Sequence, residues 1–235
     1  MSRMPPAFDL VIFDCDGVLV DSEVMTARIL RQLLSEYGIE MDDATFRSDF
    51  LGRSLPGALK RLSLRINFAL PDDLPAIYAE RLLPAFEQSL QPMPGVVDVL
   101  QRMAVPYCVA SSSDPRRLAT SLQCSNLAHW FGARVFSGAM VQHAKPAPDL
   151  FFYAAERMST AIERCLVIED SEIGMQAARA ANMQCWHFRG GSHLRHLPPS
   201  DASDVASDMR QLLDMFVANG LCVMREGDMR RGPQT

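Results

Sequence analysis

Short apolar segments recur along the chain, and a helical pattern of apolar positions follows most of them. Their apolar residues are continuous rather than alternating, which is typical of strands buried on both faces of a parallel sheet. Five strands are predicted, at residues 8–13, 107–110, 134–136, 165–168 and 185–188. Helices between them are predicted at residues 95–103, 115–124, 148–158 and 172–181. This alternation predicts an α/β fold whose core is a doubly wound, Rossmann-like parallel sheet.

The first two predicted strands are separated by a long interval, residues 21–92, which has helical character throughout. A crossover between parallel strands needs only about a dozen residues or slightly more. We therefore expect the interval to form a small all-helical cap domain, inserted after the first strand. The α/β core would then comprise residues 1–20 and 93–222, and a polar tail would follow at 223–235.

Local signals within the predicted cap place its helices. Ser22 is a suitable N-cap for a helix whose apolar residues recur every four positions, and Gly38 is suited to end it. Further helices are predicted at 42–50, 55–64 and 72–90. Pro84 is expected to kink or divide the last of them, because proline has no N–H group for the helical hydrogen bond.

Charge and hydropathy narrow the classes of function. The 235 residues include 23 Lys and Arg against 28 Asp and Glu, a net charge of −5 without a basic face, which argues against a nucleic-acid partner. A basic cluster at 225–231 is mixed with acidic residues, and we assign it no function. No stretch is long and apolar enough for a signal peptide or a bilayer span, so we expect a cytoplasmic protein without membrane contact, a monomer or weak dimer.

The cysteines and histidines do not suggest a metal site. The six cysteines form no C-x-x-C pair and mostly lie in apolar segments, so they are expected to be reduced core residues. The five histidines have no spacing typical of ligands. Any metal chemistry would therefore depend on carboxylates.

Two carboxylates follow the first predicted strand directly, in the segment FDLVIFDCDGVLVDSE. Asp14 and Asp16 occupy alternate positions of an extended segment, so both can face one site at the carboxyl end of the strand, where open α/β sheets bind ligands. Placing two carboxylates together raises the pKa of at least one of them unless a cation intervenes. Taken alone, the motif could also be a turn that merely ends a strand.

Polar side chains follow three further strands or their loops. Ser111 and Ser112 precede a helix N-terminus, where hydroxyl and free N–H groups can hold an anion. Lys145 precedes two prolines that restrict the backbone and could aim its ammonium group inward. Glu169 and Asp170 follow another strand, and a helix cap accounts for one acidic residue but not for both. Each feature alone has a structural explanation, whereas their convergence on one sheet edge predicts an active site.

With these residues in this order, the chain resembles the haloacid dehalogenase-like hydrolases, in the branch of phosphatases and phosphomutases that carry a helical cap. The resemblance covers roughly residues 8–220, and the four motifs of the family are matched by D-C-D-G at 14–17, by Ser111, by Lys145 in KPAPD and by the Glu169–Asp170 pair. The segments FDCDGVLVDSE, FLGRS and KPAPDLF are most similar to bacterial 6-phosphogluconate and sugar-phosphate phosphatases and to β-phosphoglucomutase.

The resemblance implies a phosphatase that acts on a small phosphate ester, a sugar or sugar-acid phosphate such as 6-phosphogluconate. Asp14 would be the nucleophile that forms an aspartyl phosphate. Asp16 would be the general acid and base, protonated before the leaving oxygen departs. Ser111 and Lys145 would hold the transferred phosphoryl group. The second aspartate itself argues for phosphate chemistry, since the dehalogenases of this family lack it.

The resemblance also implies a cofactor and further contacts with the substrate. Oxygen ligands beside a phosphate favour Mg²⁺. Its ligands would be the Asp14 carboxylate, the Asp16 carbonyl, Asp170 and Glu169, the last directly or through water. Ser112 would contribute to phosphate binding. Arg53, in the FLGRS segment, is a candidate for recognising the rest of the substrate, because a planar guanidinium suits carboxylates and phosphates.

Three alternatives remain at this point. A β-phosphoglucomutase-like phosphomutase would share all four motifs, but Thr26 stands where such mutases have a cap histidine, and the DDLPAI stretch before Tyr78 contains no lysine. A phosphoacceptor receiver domain would be about half as long and would lack the helical insert. A non-catalytic sugar-phosphate-binding protein could use the same fold. Release of phosphate from a generic ester distinguishes an enzyme from either binding protein.

Overall fold

A six-stranded sheet forms the centre of the structure, a computed structural model that describes residues 6–196, 198 and 202–223. The strands are β1 (Leu10–Phe13), β2 (Tyr107–Ser111), β3 (Val135–Ser137), β4 (Cys165–Glu169), β5 (Gln184–Phe188) and β6 (Val205–Ala206). They are all parallel, in the order β3-β2-β1-β4-β5-β6. The chain changes direction across the sheet between β1 and β4, which creates the switch point where open α/β sheets bind ligands. The doubly wound fold predicted from the sequence is confirmed.

Four of the five helices between β1 and β2 form an insert that begins shortly after β1. They are α1 (Glu23–Ser35), α2 (Asp43–Asp49), α3 (Leu55–Ile66) and α4 (Leu74–Ser89). The two segments that join this insert to the rest of the chain run side by side. The N–H group of Met93 donates to the carbonyl of Leu19 at 2.8 Å, and that of Asp21 donates to the carbonyl of Gln91 at 3.2 Å. The chain therefore enters and leaves the insert at one place.

The remaining α-helices of the described chain connect successive strands or follow the last one. They are α5 (Val96–Arg102), α6 (Pro115–Cys124), α7 (Ala128–Phe131), α8 (Asp149–Arg157), α9 (Glu172–Ala180) and α10 (Met209–Ala218). The start of α6 illustrates why a helix begins where it does: the Asp114 carboxylate accepts hydrogen bonds from the N–H groups of Arg116 and Arg117, both at 3.0 Å, and Pro115 occupies the first turn. Within the described residues, none of these helices has the length and apolar character needed to cross a membrane.

β1 is completely buried, and its alternate side chains enter two different hydrophobic clusters. Val11 and Phe13 pack with α5, α10 and the insert, whereas Leu10 and Ile12 pack with α8 and α9 on the other face. Successive side chains of a strand point to opposite faces, so continuous apolarity is the pattern that such a strand requires. This packing on both faces fixes the position at which β1 ends and Asp14 begins.

Some local predictions differ from the structure. Pro84 does not divide α4, which is one helix from residue 74 to 89. Because Pro84 has no N–H group, the Glu80 carbonyl has no helical hydrogen-bond donor. Both residues are exposed, and a carbonyl on the water side of a helix can bond to solvent instead. Ser22 stands at the start of α1 but makes no side-chain cap. The patterns described above also do not predict β6, which has two residues, or α10. The basic cluster at 225–231 and the tail beyond residue 223 lie outside the described residues.

Candidate active site

The predicted site residues meet at the carboxyl ends of three neighbouring strands. Asp14 directly follows β1, Ser111 is the last residue of β2, and Glu169 is the last residue of β4. All three are buried, with exposed fractions of 7%, 1% and 1% respectively. Because β2, β1 and β4 are adjacent in the sheet, its register brings these side chains together across large sequence distances.

Lys145 occupies the centre of this group, and its side chain is directed into the site. Its Nζ donates to Asp14 Oδ1 at 2.7 Å, to Glu169 Oε1 at 2.5 Å and to the Ala110 carbonyl oxygen at 2.9 Å. Burial alone would lower the pKa of Lys145, but the two carboxylates outweigh it and raise the pKa. Lys145 is therefore a permanently charged ammonium group that bridges β1, β2 and β4.

Three buried acidic residues form a cluster that fits a divalent cation. Carboxylate oxygens of Asp14, Glu169 and Asp170 all lie within 4.8 Å of one another. Burial, followed by the charge of neighbouring carboxylates, raises the pKa of Asp170, and burial likewise raises the pKa of Asp14 despite the opposing effect of Lys145. Asp170 Oδ2 is buried without a hydrogen-bond partner, although His193 Nε2 is 2.9 Å away. An acidic, oxygen-only donor set with a free oxygen suits Mg²⁺.

Glycines make room for the acidic side chains. Gly17 has a φ of +78°, and a Cβ at this position would lie 1.9 Å from Asp170 Oδ2. Gly174, at the start of α9, similarly has no space for a Cβ, which would lie 1.9 Å from Glu169 Oε1. At Gly17 both the backbone conformation and the close approach therefore require glycine.

Asp16 is held separately from the acidic cluster. Ser22 Oγ donates to Asp16 Oδ1 at 2.6 Å, and Ser113 Oγ donates to Asp16 Oδ2 at 2.7 Å. Arg117, from the first turn of α6, adds an ion pair with Asp16 Oδ1 at 2.8 Å. Burial alone would raise the pKa of Asp16, but the Arg117 guanidinium and these hydroxyl donors outweigh it and hold the pKa below its ordinary value. These contacts therefore favour the ionised form of the Asp16 carboxyl group when no substrate is bound.

The serine loop after β2 contacts the insert. Ser111 Oγ accepts a hydrogen bond from the N–H of Ser113 at 3.1 Å, and Ser112 Oγ donates to the carbonyl of Gly52 at 2.9 Å. Gly52 lies so close to the core that a Cβ would be 2.2 Å from Ser171 Oγ. Arg53, the next residue, lines the same small pocket as Ser111 and the acidic residues. The loop between α2 and α3 therefore lies directly over the strand ends.

Several residues around the pocket are not predicted by the sequence motifs. Arg117 contacts α1 and α4 of the insert: its Nη2 donates to Thr26 Oγ1 at 3.4 Å, and its guanidinium lies 5.7 Å from the centre of the Phe86 ring. Glu23 is buried at the start of α1, where burial and the neighbouring Asp16 carboxylate raise its pKa to about 7. Both residues occupy the first turn of a helix that follows a motif loop, which is the sequence signal that could have found them.

Comparison with known proteins supports one family. A model of the haloacid dehalogenase-like hydrolases matches residues 8–182. The chain is 31% identical to 6-phosphogluconate phosphatase of Escherichia coli (strain K12), over 94% of this chain and 98% of that protein. It is 32% identical to fructose-1-phosphate phosphatase of the same strain, over 76% of this chain and 95% of that protein.

A solved structure agrees with these sequence matches. The crystal structure of a conserved haloacid dehalogenase-like protein of unknown function from Agrobacterium tumefaciens str. C58 has a TM-score of 0.73 at 32% identity, covering 90% of this chain and 98% of that one. The sheet order, the buried lysine between two carboxylates and the match over most of the sequence lead to the same assignment. The chain belongs to the haloacid dehalogenase-like hydrolases.

Proposed function

We propose that this hydrolase is a Mg²⁺-dependent phosphatase that releases phosphate from a small metabolite through an aspartyl-phosphate intermediate. The observation that carries the proposal is the convergence of four carboxylates, a buried lysine and a serine hydroxyl at one edge of the sheet. Two similar proteins are named as phosphatases of 6-phosphogluconate and of fructose 1-phosphate. We therefore assign a sugar phosphate or sugar-acid phosphate, such as 6-phosphogluconate, as the substrate class.

The proposed chemistry begins at Asp14. Its carboxylate would attack the phosphorus atom, and the bond to the leaving alkoxide oxygen would break as the aspartyl–phosphate bond forms. Ser111 and Lys145 would hold the oxygens of the transferred group. In a second step, water would attack the phosphorus atom, which releases inorganic phosphate and regenerates the Asp14 carboxylate.

Asp16 would transfer the protons. It would give a proton to the leaving oxygen in the first step and accept one from water in the second. The ionised form of Asp16, which Arg117 and the hydroxyl donors favour, suits the second role and needs a proton for the first. A bound phosphate monoester brings about two negative charges beside it, and nearby negative charge raises the pKa of a carboxyl group. Substrate binding therefore favours proton uptake by Asp16 against the effect of Arg117.

The acidic cluster would hold the Mg²⁺ ion. Asp14, Asp170 and the main-chain carbonyl of Asp16 would be its ligands. Glu169 would act through water, because its two oxygens already accept hydrogen bonds from Lys145 and Ser171. Three ionised carboxylates and a phosphate monoester carry a charge of about −5, which is too unfavourable in a buried site without cations. When bound, the ion would offset about two of these charges and orient the phosphoryl group, and Lys145 would offset one more.

The insert, residues 21–92, would be the cap over a core formed by residues 1–20 and 93–222. The hydrogen bond from Ser112 to the Gly52 carbonyl supports this role, because it joins the α2–α3 loop of the insert to the loop that would bind the phosphoryl group. Arg53 in this loop is half-buried, and its Nε has no hydrogen-bond partner among the described residues. It would bind a carboxylate or hydroxyl groups of the substrate. A closed cap would also limit the access of bulk water to the reaction.

Replacement of the nucleophile tests the proposal most directly. Asp14→Asn should release no phosphate from 6-phosphogluconate or p-nitrophenyl phosphate, because the amide cannot attack phosphorus. The measurement is inorganic phosphate over time with Mg²⁺ present. Asp72→Asn, at an exposed position outside the site, is the matched control and should keep wild-type turnover. Retention of more than about a tenth of wild-type turnover by Asp14→Asn would contradict the assignment.

Metal dependence gives a second test. A chelator should abolish activity, and added Mg²⁺ should restore it. Asp170→Ala should raise the Mg²⁺ concentration for half-maximal activity by at least about tenfold, because it removes a direct ligand. Calorimetric titration with Mg²⁺ should show the same weakening without substrate. The exposed control Glu87→Ala should leave both titrations unchanged. Unaltered Mg²⁺ binding by Asp170→Ala would place the cation elsewhere.

The buried ammonium group should determine how stability depends on pH. Lys145→Met leaves Asp14 and Glu169 without their cation, which should lower the free energy of unfolding by about 3 kcal/mol at pH 8 in metal-free buffer. Burial already raises the pKa of Asp14, and loss of Lys145 raises it further, so the folded variant binds protons that the unfolded chain releases. Its deficit should therefore shrink from pH 8 to pH 5. Urea denaturation at both values measures this.

The exposed Lys60→Met is the control for that experiment and should match the wild type at both pH values. A deficit of Lys145→Met that stays constant or grows towards pH 5 would mean that the loss comes from packing rather than from uncompensated carboxylates.

The fate of the aspartyl phosphate separates a phosphatase from a mutase. A mutase must protect this intermediate from water until its own product returns. Thr26, whose hydroxyl oxygen lies 3.4 Å from Arg117, cannot replace the cap histidine of the mutases, and no lysine precedes Tyr78 in its segment. We expect net hydrolysis and no conversion of β-glucose 1-phosphate into glucose 6-phosphate, even with a bisphosphate primer. Faster accumulation of glucose 6-phosphate than of free phosphate would identify a mutase.

A further inference from the structure

The pocket above the acidic cluster has room for a phosphoryl group but for little else. Asp14, Asp16, Ser111 and Asp170 line it together with residues of the insert, and its volume is about 40 Å³. A volume of this size holds about three water molecules, because each needs roughly 10–15 Å³ when measured this way. The alcohol part of a phosphate ester must therefore extend out of this pocket.

A second, larger cavity lies next to the first. It lies between α3 and α4 on one side and the loops after β2 and β3 on the other, and its volume is about 480 Å³. The two spaces are adjacent, since they share lining residues, namely Arg53, Leu55, Tyr78, Ser112, Ser113 and Arg117. A volume of this size is typical of sites that bind small organic molecules. It is the space adjoining the phosphoryl position that could take the alcohol part of the ester.

The two sides of the cavity lining differ in polarity: polar side chains occur where it adjoins the phosphoryl pocket, whereas the wall formed by α3 and α4 is mostly aliphatic. The shared residues include two guanidinium groups and two serine hydroxyls. Beyond them, α3 and α4 contribute mostly aliphatic surface, from Pro56, Pro75, Ala76, Ala79, Leu82 and Leu83. The remaining charged and amide side chains of the lining, Asp114, Arg116 and Gln142, belong to exposed residues. A sugar hydroxyl placed against the aliphatic wall would lose water without gaining a hydrogen bond.

We infer that the aliphatic wall binds an apolar group of the leaving alcohol, so that the substrate is a sugar phosphate that carries an apolar aglycone. The inference rests on the proposed phosphatase function and, within its substrate class, selects sugar phosphates over sugar-acid phosphates such as 6-phosphogluconate, which have no anomeric carbon to carry an aglycone. The sugar hydroxyls next to the ester face Arg53, Ser112 and Ser113, and the aglycone occupies the space beside α4. A single sugar ring uses the polar end of the cavity and leaves the apolar end to water.

Two esters that differ only in the aglycone provide the test: phenyl β-D-glucopyranoside 6-phosphate and methyl β-D-glucopyranoside 6-phosphate. The bond that breaks and the leaving oxygen are the same in both esters. A difference in kcat/KM therefore shows how the cavity binds the aglycone. Release of phosphate is measured with Mg²⁺ present. We expect kcat/KM to be about tenfold higher for the phenyl glycoside, a typical gain when an apolar group fills an apolar pocket.

Variants that fill the cavity should remove this preference. Ala79→Phe places a ring against the aliphatic wall, and the ratio of the two kcat/KM values should fall to about one. Ala76→Phe, at an exposed position of the same lining, gives a second variant with little risk to folding. Glu80→Phe is the matched control, because Glu80 is exposed on the same helix and lies outside the cavity lining. It should keep the wild-type ratio.

Each other outcome is decisive. Equal kcat/KM values for the two glycosides with the wild-type protein would overturn the inference and leave the phosphatase function standing. A preference that survives in both Ala79→Phe and Ala76→Phe would place the aglycone elsewhere and overturn it as well. Absence of phosphate release from both glycosides, with release from 6-phosphogluconate or p-nitrophenyl phosphate retained, would overturn the inference alone. Absence of release from all four esters would overturn the proposed function and, with it, this inference.

Discussion

The buried ammonium group of Lys145 is the interaction on which the arrangement of the site depends. It bonds to Asp14 beyond β1, to the Ala110 carbonyl in β2 and to Glu169 at the end of β4. Without it, carboxylates within 5 Å of one another would repel in surroundings that already disfavour charge. One cation therefore balances the charge of the site and ties three neighbouring strands together at the edge where a ligand would bind.

Arg117 and Lys145 balance the charges of different carboxylates in the site. Lys145 forms ion pairs with Asp14 and Glu169. Arg117 forms an ion pair with Asp16 and contacts the insert at Thr26 and Phe86. Among the described residues, Asp170 makes no ion pair with a lysine or arginine, and its Oδ2 has no hydrogen-bond partner. The two fixed cations thus leave unbalanced charge at the position where a divalent ion fits the donors best.

The sequence predicts the sheet and the motif residues because both depend on strand order. Continuous apolar segments identify strands buried on both faces, and a residue that directly follows such a strand must lie at its carboxyl end. This reasoning does not identify Arg117 and Glu23, because both residues lie on helices. The sequence does not define how each helix is rotated about its own axis. Ser22 has two possible hydrogen-bond partners: a helix N–H group, which would donate to its hydroxyl, and the Asp16 carboxylate, which accepts from it. Only the folded chain decides between them. The effect of Pro84 also depends on the folded chain, because the destabilisation that it causes depends on which side of α4 faces water.

The paired connections of the insert, at Leu19 with Met93 and at Asp21 with Gln91, affect how such a chain can change over evolution. Because the two ends of the insert are neighbours, the whole insert connects to the rest of the chain in the same way as a short turn would. Lengthening, shortening or replacing those helices leaves the path from β1 to α5 unaltered and adds little loop-closure entropy. The insert and the group of charged residues at the sheet edge can therefore diverge at different rates, so the helices can change while that group stays the same.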